Sequence, residues 1–180
     1  NSASKLYRGT GTAFTDVSSA SGISSITAGG GAWGDYDNDG RVDLFYLEYD
    51  DPVGSEGRLL HSNTNGTFTS AGWIAYAEMT NSALWADFDD DGDLDLMAVG
   101  ANDEPVGDPN PYAATYYWIN DGDGTFTDAT DQIDGEGWVI GYTVAAAADM
   151  DNDGDLDVPF VTRDHCGWME NLGDNYFEVQ

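Results

Sequence analysis

Basic residues are scarce in this sequence: five lysines and arginines face 34 aspartates and glutamates, and the formal net charge is −29. Nucleic acids and anionic membrane surfaces are bound through lysine and arginine, so neither is expected as a partner. The single cysteine, Cys166, excludes an internal disulfide framework. No run of 18 apolar residues is present, so we expect no membrane insertion.

The acidic residues are chiefly aspartate, 27 against 7 glutamates. Aspartate favours turns and short-reach oxygen ligation, whereas solvating acidic tails are usually rich in glutamate. With 41% hydrophobic and 13% aromatic residues, the chain has enough apolar material to fold. A length of 180 residues suits one domain, or a few repeated units that share a core.

The sequence repeats itself. Three segments align without gaps on the pattern D-x-D-x-D-G-x-x-D, at residues 35–43, 87–95 and 149–157. Apolar residues typical of a strand buried on both faces follow each segment. A turn rich in Gly and Asn that leads into a phenylalanine also recurs, ending at Phe14, Phe68, Phe126 and Phe177. Repeats of this kind predict an all-β fold of β-propeller-type blades, each with four antiparallel strands, and about three and a half blade units in this chain.

The expected unit boundaries follow the repeats. Residues 1–30 hold the outer hairpin of an incomplete blade plus a connection, and residues 31–82, 83–143 and 144–180 hold the three blade units. Pro159 is the exception to the strand pattern, because a central strand accepts proline only at a bulge or an unpaired position.

The aspartate segments are predicted to be metal-binding loops. Carboxylates at positions 1, 3 and 5 converge when the chain curls tightly, and glycine at position 6 permits a positive φ. Position 7 offers a backbone carbonyl, and aspartate at position 9 closes the ring of oxygens. Hard oxygen donors in a flexible loop favour Ca²⁺ over Mg²⁺ and Zn²⁺. Three calcium sites are predicted, with the ligand residues Asp35, Asp37, Asp39, Arg41, Asp43, Asp87, Asp89, Asp91, Asp93, Asp95, Asp149, Asp151, Asp153, Asp155 and Asp157.

An EF-hand does not fit these loops. It needs a glutamate at position 12, where the loops have Tyr46, Ala98 and Phe160, and it needs flanking helices. The loops and their flanking strands instead resemble the calcium-binding FG-GAP repeats of integrin α-subunit propellers and the related bacterial VCBS-type repeats. Residues 7–23 and 31–40 are similar to the cartilage-acidic-protein-like branch. The resemblance implies a propeller, extracellular placement and calcium in the hairpin loops, but no particular ligand.

Other motifs carry less chemistry. Residues 29–34 match G-x-G-x-x-G, but three aspartates and no helix follow, so a pyrophosphate site is not expected. Asp164, His165 and Cys166 are adjacent strand residues that point to opposite faces and form no triad. His61 lies in an outer strand, where we expect it to be solvated or packed.

Aromatic residues and one sequon leave alternatives open. Trp33 and Trp85 share a repeat position and are expected in the core. Asn65 begins an Asn-Gly-Thr sequon that is equally a favoured hairpin turn, so glycosylation stays open. Less regular aromatic residues could line a stacking surface or be buried between blades; these are Trp73, Trp138, Tyr112, Tyr116 and Tyr117.

The long connections between strands are expected on the face opposite the aspartate loops, where loops are free to carry function. They are residues 18–28, 48–57, 70–81, 102–114 and 128–141. We expect an extracellular calcium-binding module for adhesion, assembly or interaction with a protein or glycan, and not an enzyme, because no nucleophile–base pair or catalytic metal motif is present. A lectin and a non-catalytic domain of a larger secreted enzyme are the alternatives.

The blade count bears on assembly. Closed propellers typically have four to eight blades, so three and a half leave blade faces uncovered. We therefore expect residues 1–16 and 160–180 to contact another chain, in a homo-oligomer or filament, or another part of a longer protein.

Overall fold

The computed structural model describes residues 4–23, 26, 28–50, 54–76, 80–100, 115–134, 144–161, 166–173 and 175–180. Strands dominate these ranges. Helical residues within them form one turn of α-helix, α1 (Ser18–Ser21), and one 3₁₀ turn at Thr130–Gln132. Neither has the length or the apolar content needed to span a membrane.

Within the described ranges the strands form three sheets in chain order, preceded by the two-stranded hairpin β1 (Tyr7–Gly9) and β2 (Phe14–Asp16). Blade 1 contains β3 (Ala28–Gly34), β4 (Asp43–Asp50), β5 (Gly54–Ser62) and β6 (Phe68–Tyr76). Blade 2 contains β7 (Thr80–Ala86), β8 (Asp95–Gly100), β9 (Thr115–Asn120) and β10 (Phe126–Asp128). Blade 3 contains β12 (Val144–Ala145), β13 (Val158–Val161), β14 (Cys166–Asn171) and β15 (Phe177–Val179). These four-stranded antiparallel sheets confirm the predicted all-β blade architecture.

Each blade repeats one connectivity. An aspartate loop joins its first two strands, and the turn that leads into a phenylalanine joins its last two. Blade 3 carries one addition that the repeats did not predict: β11 (Ile133–Asp134) pairs in parallel with β15, next to the antiparallel sheet. In blade 3 the ladder between β12 and β13 is interrupted opposite Pro159, as a central proline requires.

Hydrophobic cores lie between successive units, because alternate residues of each strand face opposite neighbours. Between blades 1 and 2, Phe45 and Leu47 of β4 meet Leu96 and Trp118. Between blades 2 and 3, one cluster joins Met97, Val99, Tyr117, Val158 and Phe177. A third cluster packs the leading segment against blade 1 through Ile23, Ile26, Tyr46 and Leu60. Strands buried on both faces explain the continuous apolar runs in the sequence.

The close contact between blades 1 and 2 depends on the absence of a side chain at Gly34. A Cβ added to Gly34 would lie 2.7 Å from the ring of Trp85, so the indole of blade 2 occupies the space above this glycine. The Trp85 Nε1 also donates a hydrogen bond to the Ala32 carbonyl at 3.3 Å. Trp85 is therefore packed in the interface between blades, as predicted.

The prediction for Trp33 is wrong. Its side chain is 49% exposed, and it contacts Phe68 with a centroid distance of 6.1 Å. At this repeat position the side chain faces the unit that precedes its blade. Blade 1 is preceded only by the short β1–β2 hairpin, which does not cover Trp33. Tyr117, by contrast, is buried between blades, and Tyr116 stacks on Trp118. The side chains of Trp73, Trp138 and Tyr112, and the connection 102–114, lie outside the described residues.

Candidate metal centres

The three aspartate loops share one backbone conformation. Glycine at position 6 has φ between 84° and 110° in Gly40, Gly92 and Gly154, as predicted. Position 4 is also left-handed, with φ of 55° to 66° at Asn38, Asp90 and Asn152, which the sequence analysis did not anticipate. Asparagine and aspartate tolerate this conformation better than other side-chain-bearing residues. Two left-handed residues curl the loop and turn its carboxylates inward.

Hydrogen bonds from the loop backbone orient the first carboxylate. Asp35 accepts hydrogen bonds from the N–H groups of Asp39 at 3.0 Å and Gly40 at 2.8 Å. Asp87 likewise accepts from Gly92 at 3.1 Å, and Asp149 from Asn152 at 2.6 Å. These bonds occupy part of each carboxylate and fix its direction.

The aspartate at position 9 holds the loop to the outer half of its blade. Asp95 is fully buried and accepts hydrogen bonds from the N–H groups of Phe88 at 3.0 Å and Asn120 at 2.9 Å. Asp157 makes the same pair of bonds with Met150 at 2.7 Å and Asn171 at 2.9 Å. In these two loops both carboxylate oxygens accept a hydrogen bond from a backbone N–H group. The aspartate at position 9 therefore anchors the loop to the blade.

Burial sets the protonation of these anchors. Removal from water raises the pKa of Asp95 to about 7, although the hydrogen bonds from the backbone N–H groups of Asn120 and Phe88 act to lower this pKa. Burial also raises the pKa of Asp43, the equivalent residue of blade 1, and of Asp87 at position 1 of blade 2. Each of these carboxylates is therefore held in a site that favours either a proton or a neighbouring cation.

Part of each predicted ligand set comes together. Oxygens from three carboxylates lie within 4.8 Å of one another in every loop: Asp35, Asp37 and Asp43; Asp87, Asp89 and Asp91; Asp149, Asp151 and Asp157. The side chains of Asp93, Asp95, Asp153 and Asp155 join none of the clusters found among the described residues. The Arg41 side chain at position 7 forms an ion pair with Asp39, and the ligand role of the position 7 backbone carbonyl stays a prediction.

The donor chemistry of these clusters fits a hard divalent cation. All three carboxylate clusters offer oxygen alone, the donor that calcium and magnesium prefer. Two buried oxygens in them, Asp43 Oδ2 and Asp87 Oδ1, have no hydrogen-bond partner among the described residues. A buried carboxylate oxygen without a partner is costly, and a bound cation would satisfy it.

Two further residues join the loops of blades 1 and 2 to the following blade, and sequence reasoning missed them. The Asn120 Nδ2 donates to the carbonyl of Tyr36 in the blade 1 loop at 2.8 Å. Asn171 repeats this bond from blade 3 to Phe88 of the blade 2 loop. Both asparagines are the last residue of the third strand of a blade. This shared position before the turn is the feature of the sequence from which their common role could have been predicted.

His61 was expected to be solvated or packed, and its ring packs against the blade 1 loop. The sequence did not predict its place beside the aspartates. With Asp37 and Asp39, His61 forms a fourth group of closely spaced ligand atoms.

Comparison with known proteins gives one match at the level of family. The model for FG-GAP-like repeats matches residues 35–98 and 100–158. No curated protein matches the chain. Among solved structures, a lectin of Agrocybe aegerita, described as specifically recognising non-reducing terminal N-acetylglucosamine, is 15% identical with a TM-score of 0.43. The similarity covers 83% of this chain and 51% of the lectin, so the chain spans about half the length of that protein.

Proposed function

The chain belongs to the FG-GAP-like repeat family, and from that premise we propose that it is an extracellular calcium-binding interaction module. The observation that carries this proposal is the threefold repetition of one loop geometry, in which carboxylate oxygens gather within 4.8 Å of one another. Like charges so close repel strongly unless a cation lies between them. Bound calcium would supply that positive charge and tie the two halves of each loop together.

The residues that would hold calcium are those of the three carboxylate clusters. The curled backbone directs them, and the position 9 aspartate sets the height of the loop above the blade through its backbone bonds. Oxygen donors on a flexible loop suit calcium better than magnesium, which demands near-ideal octahedral geometry. Extracellular calcium modules bind in the range of about 10⁻⁴ to 10⁻³ M, so an extracellular location supplies enough of the ion.

The module is proposed to act by binding rather than by catalysis, and its blade 3 face supports this. Val161 and Met150 are 59% and 45% exposed there. The equivalent residues of blade 1, Leu47 and Tyr36, are only 1% and 7% exposed, because blade 2 covers them. Blade 3 therefore presents the apolar surface that elsewhere in the chain receives a neighbouring blade.

The opposite end of the array presents the complementary surface. Phe14 and Tyr7 of the β1–β2 hairpin are 79% and 50% exposed, whereas Phe177 and Met169, at the equivalent positions of blade 3, are 0% and 1% exposed against blade 2. We propose that blade 3 of one copy packs on the leading hairpin of a second copy, head to tail. Such a heterologous contact repeats the blade interface of the fold and permits rings or filaments.

Calorimetric titration with Ca²⁺ tests the calcium proposal. We expect about three ions per chain with affinities near 10⁻⁴ M. The variant Asp89→Asn/Asp91→Asn removes charge from the blade 2 cluster and should lower the stoichiometry by one. A matched control, Asp121→Asn/Asp123→Asn, alters two exposed aspartates of the β9–β10 turn and should leave it unchanged. Absence of saturable calcium binding in the wild-type chain would refute the proposal.

A further inference from the structure

A side chain of blade 3 reaches the aspartate loop of blade 2. Asn175 lies in the turn between β14 and β15, and its Nδ2 donates a hydrogen bond to Oδ2 of Asp89 at 3.3 Å. Asp89 is the aspartate at position 3 of that loop, and it contributes an oxygen to the blade 2 carboxylate cluster. A predicted calcium ligand is therefore held by a residue from the following blade.

The amide of Asn175 is oriented by a buried tyrosine. A carboxylate only accepts hydrogen bonds, so the amide nitrogen must face Asp89. The amide oxygen then accepts a hydrogen bond from the Tyr117 hydroxyl at 2.6 Å. Tyr117 is fully buried between blades 2 and 3, and its hydroxyl also lies 3.4 Å from Oδ2 of the anchor Asp95. The core between the two blades thus fixes which way the Asn175 amide points.

The backbone conformation at Asn175 would suit glycine. Its φ is 63°, in the left-handed region that glycine adopts without steric cost and that asparagine tolerates. Gly66 and Gly124 stand at the same place in the turns of blades 1 and 2, counted from the end of the third strand, with φ of 80° and 89°. Blade 3 therefore has a side chain where the other two turns have none, and that side chain contacts the neighbouring loop.

Within the described residues, the equivalent aspartates of the other two loops do not receive this bond. Gly124 offers no side chain to Asp37 of the blade 1 loop, where His61 lies 3.0 Å away instead. No further blade follows blade 3 in the described part of the chain, so Asp151 has no matching turn beside it. The bond from Asn175 therefore distinguishes the blade 2 loop.

The blade 1 loop holds the opposite side of the blade 2 loop. The Asn38 Nδ2 donates a hydrogen bond to Oδ1 of Asp93 at 2.6 Å. A Cβ added to Gly122 would lie 2.5 Å from Oδ2 of Asp93, so the β9–β10 turn also packs on this carboxylate. Neighbouring segments thus hold the blade 2 loop on both sides. Asp89 belongs to the carboxylate cluster and Asp93 does not, so the bond from Asn175 is the one that bears on ion binding.

A hydrogen bond to a ligating carboxylate changes how strongly that carboxylate binds a metal. The bond restricts rotation of the carboxylate, so less conformational freedom remains to be lost when an ion binds. A carboxylate has about four acceptor sites, so one bond from an amide leaves others that can face an ion. Removing such an outer partner typically lowers metal affinity by about 10–100-fold.

We propose that Asn175 is a positioning residue of the blade 2 calcium site. It holds Asp89 in the direction that an ion requires, and it thereby couples the calcium affinity of blade 2 to the packing of blade 3 on that blade. This role rests on the proposed calcium function and adds to it a residue that is not itself a ligand.

Calcium titration of the full chain, followed by NMR, tests the role of Asn175. The backbone amides of Gly40, Gly92 and Gly154 stand at position 6 of the three loops and report each site separately. Asn175→Gly installs the residue of the other two turns and suits the left-handed backbone. We expect this variant to weaken the Ca²⁺ binding reported by Gly92 by about tenfold or more, with the Gly40 and Gly154 midpoints unchanged.

Two further variants separate positioning from the stability of the turn. Tyr117→Phe removes the hydroxyl that orients the amide but keeps the ring in the core, and it should weaken the same site. Tyr176→Phe is the matched control, because the Tyr176 hydroxyl leaves the same turn toward Asp134, which it bonds at 2.7 Å. It should leave all three midpoints unchanged.

The outcomes distinguish the positioning role from the calcium function. An unchanged Gly92 midpoint in a folded Asn175→Gly chain would overturn the proposal, and so would equal losses at all three glycines. In the wild-type chain, a calcium response at Gly92 without one at the side-chain amide of Asn175 would also overturn it, and this measurement needs no variant. A wild-type chain in which none of the three glycines responds to Ca²⁺ would refute the calcium function and the positioning role together.

Discussion

The side-chain amide of Asn171 donates a hydrogen bond to the backbone carbonyl of Phe88 at 2.8 Å. The same nitrogen lies 3.3 Å from the carbonyl of Leu156, and the Asn171 Oδ1 accepts the N–H of Gly173 at 3.1 Å. One fully buried amide thus connects the third strand of blade 3, its own aspartate loop and the loop of blade 2. Blade order and loop position are set by the same side chain.

Replacing this amide should loosen both loops. We expect Asn171→Ala to lower the free energy of unfolding by about 1–3 kcal/mol, because buried carbonyl groups lose their donor. Urea denaturation measures the change. Leu172→Ala is the control, because Leu172 is the next residue, is 50% exposed and should have a small effect. Equal stability of Asn171→Ala and the wild-type chain would contradict this role.

Removal of calcium should destabilise the fold more than added salt does. At 1 mM Ca²⁺ and a dissociation constant near 10⁻⁴ M, each site stabilises the folded chain by about 1.4 kcal/mol. Thermal unfolding with excess chelator, compared with an equal rise in ionic strength, measures this contribution. Identical melting temperatures in the two conditions would show that the loops hold no stabilising ion.

Stability without metal should fall as the pH rises from about 4 to 7. Burial raises the pKa of Asp95 to about 7 in the folded chain, against 3.8 as its ordinary value. Between these values the folded chain binds more protons than the unfolded chain, so each rise in pH favours unfolding. Above about pH 7 the contribution of Asp95 is constant. Urea denaturation of the chelated protein across this range checks the sign.

The same titration predicts how calcium should act with pH. Besides burial, the charges of Asp89 and Asp91 raise the pKa of Asp95. A cation bound by those two carboxylates would offset their charge and favour ionised Asp95, so the stabilisation by Ca²⁺ should grow as the pH rises toward 7. Repeating the denaturation series in saturating Ca²⁺ provides the comparison. A calcium effect that shrinks with rising pH would be inconsistent with carboxylate ligation.

Gly34→Ala should separate blades 1 and 2. The added methyl would lie 2.7 Å from the Trp85 ring, which is too close unless the ring or the backbone shifts. We expect a loss of about 1–3 kcal/mol from overpacking. In Trp85→Leu the same glycine change should cost less, because the obstructing ring is gone, and a double-mutant cycle by urea denaturation isolates that coupling. Additive losses would mean that the two residues do not interact.

Val161→Asp should disrupt the proposed head-to-tail assembly. In calcium and physiological salt we expect the wild-type chain to form species heavier than 19.3 kDa, as measured by light scattering, and the variant to be a monomer. Val42→Asp is the matched control, since Val42 is 56% exposed but lies in an aspartate loop outside that face. A monomeric wild-type chain would exclude the assembly.

Mixing two disrupted chains identifies the direction of the contact. Phe14→Ser should also be a monomer, because it alters the leading hairpin while blade 3 stays intact. In a head-to-tail contact, the hairpin of Val161→Asp can still bind blade 3 of Phe14→Ser, so a mixture of the two should recover a dimer. Failure of the mixture to associate would count against this arrangement.

Much of the local structure is readable from the sequence. The alignment of three aspartate segments predicts the blades, because a short loop motif can be recognised without knowing its neighbours. Gly40 predicts a positive φ, since glycine adopts it at no steric cost. The carboxylates at positions 1 and 3 of every loop were predicted ligands and do come together.

The roles of other residues depend on contacts between distant segments. His61 is 18 residues from Asp43 in sequence, and only the pairing of β4 with β5 places its ring beside the loop. Trp33 and Trp85 are equivalent in sequence, yet one is exposed, because burial depends on which unit covers each face. Asn120 meets Tyr36 only once two blades have packed. The sequence alone determined the repeats and their loops, because these are local patterns, whereas the tertiary structure decided which faces are covered and which side chains reach a neighbouring loop.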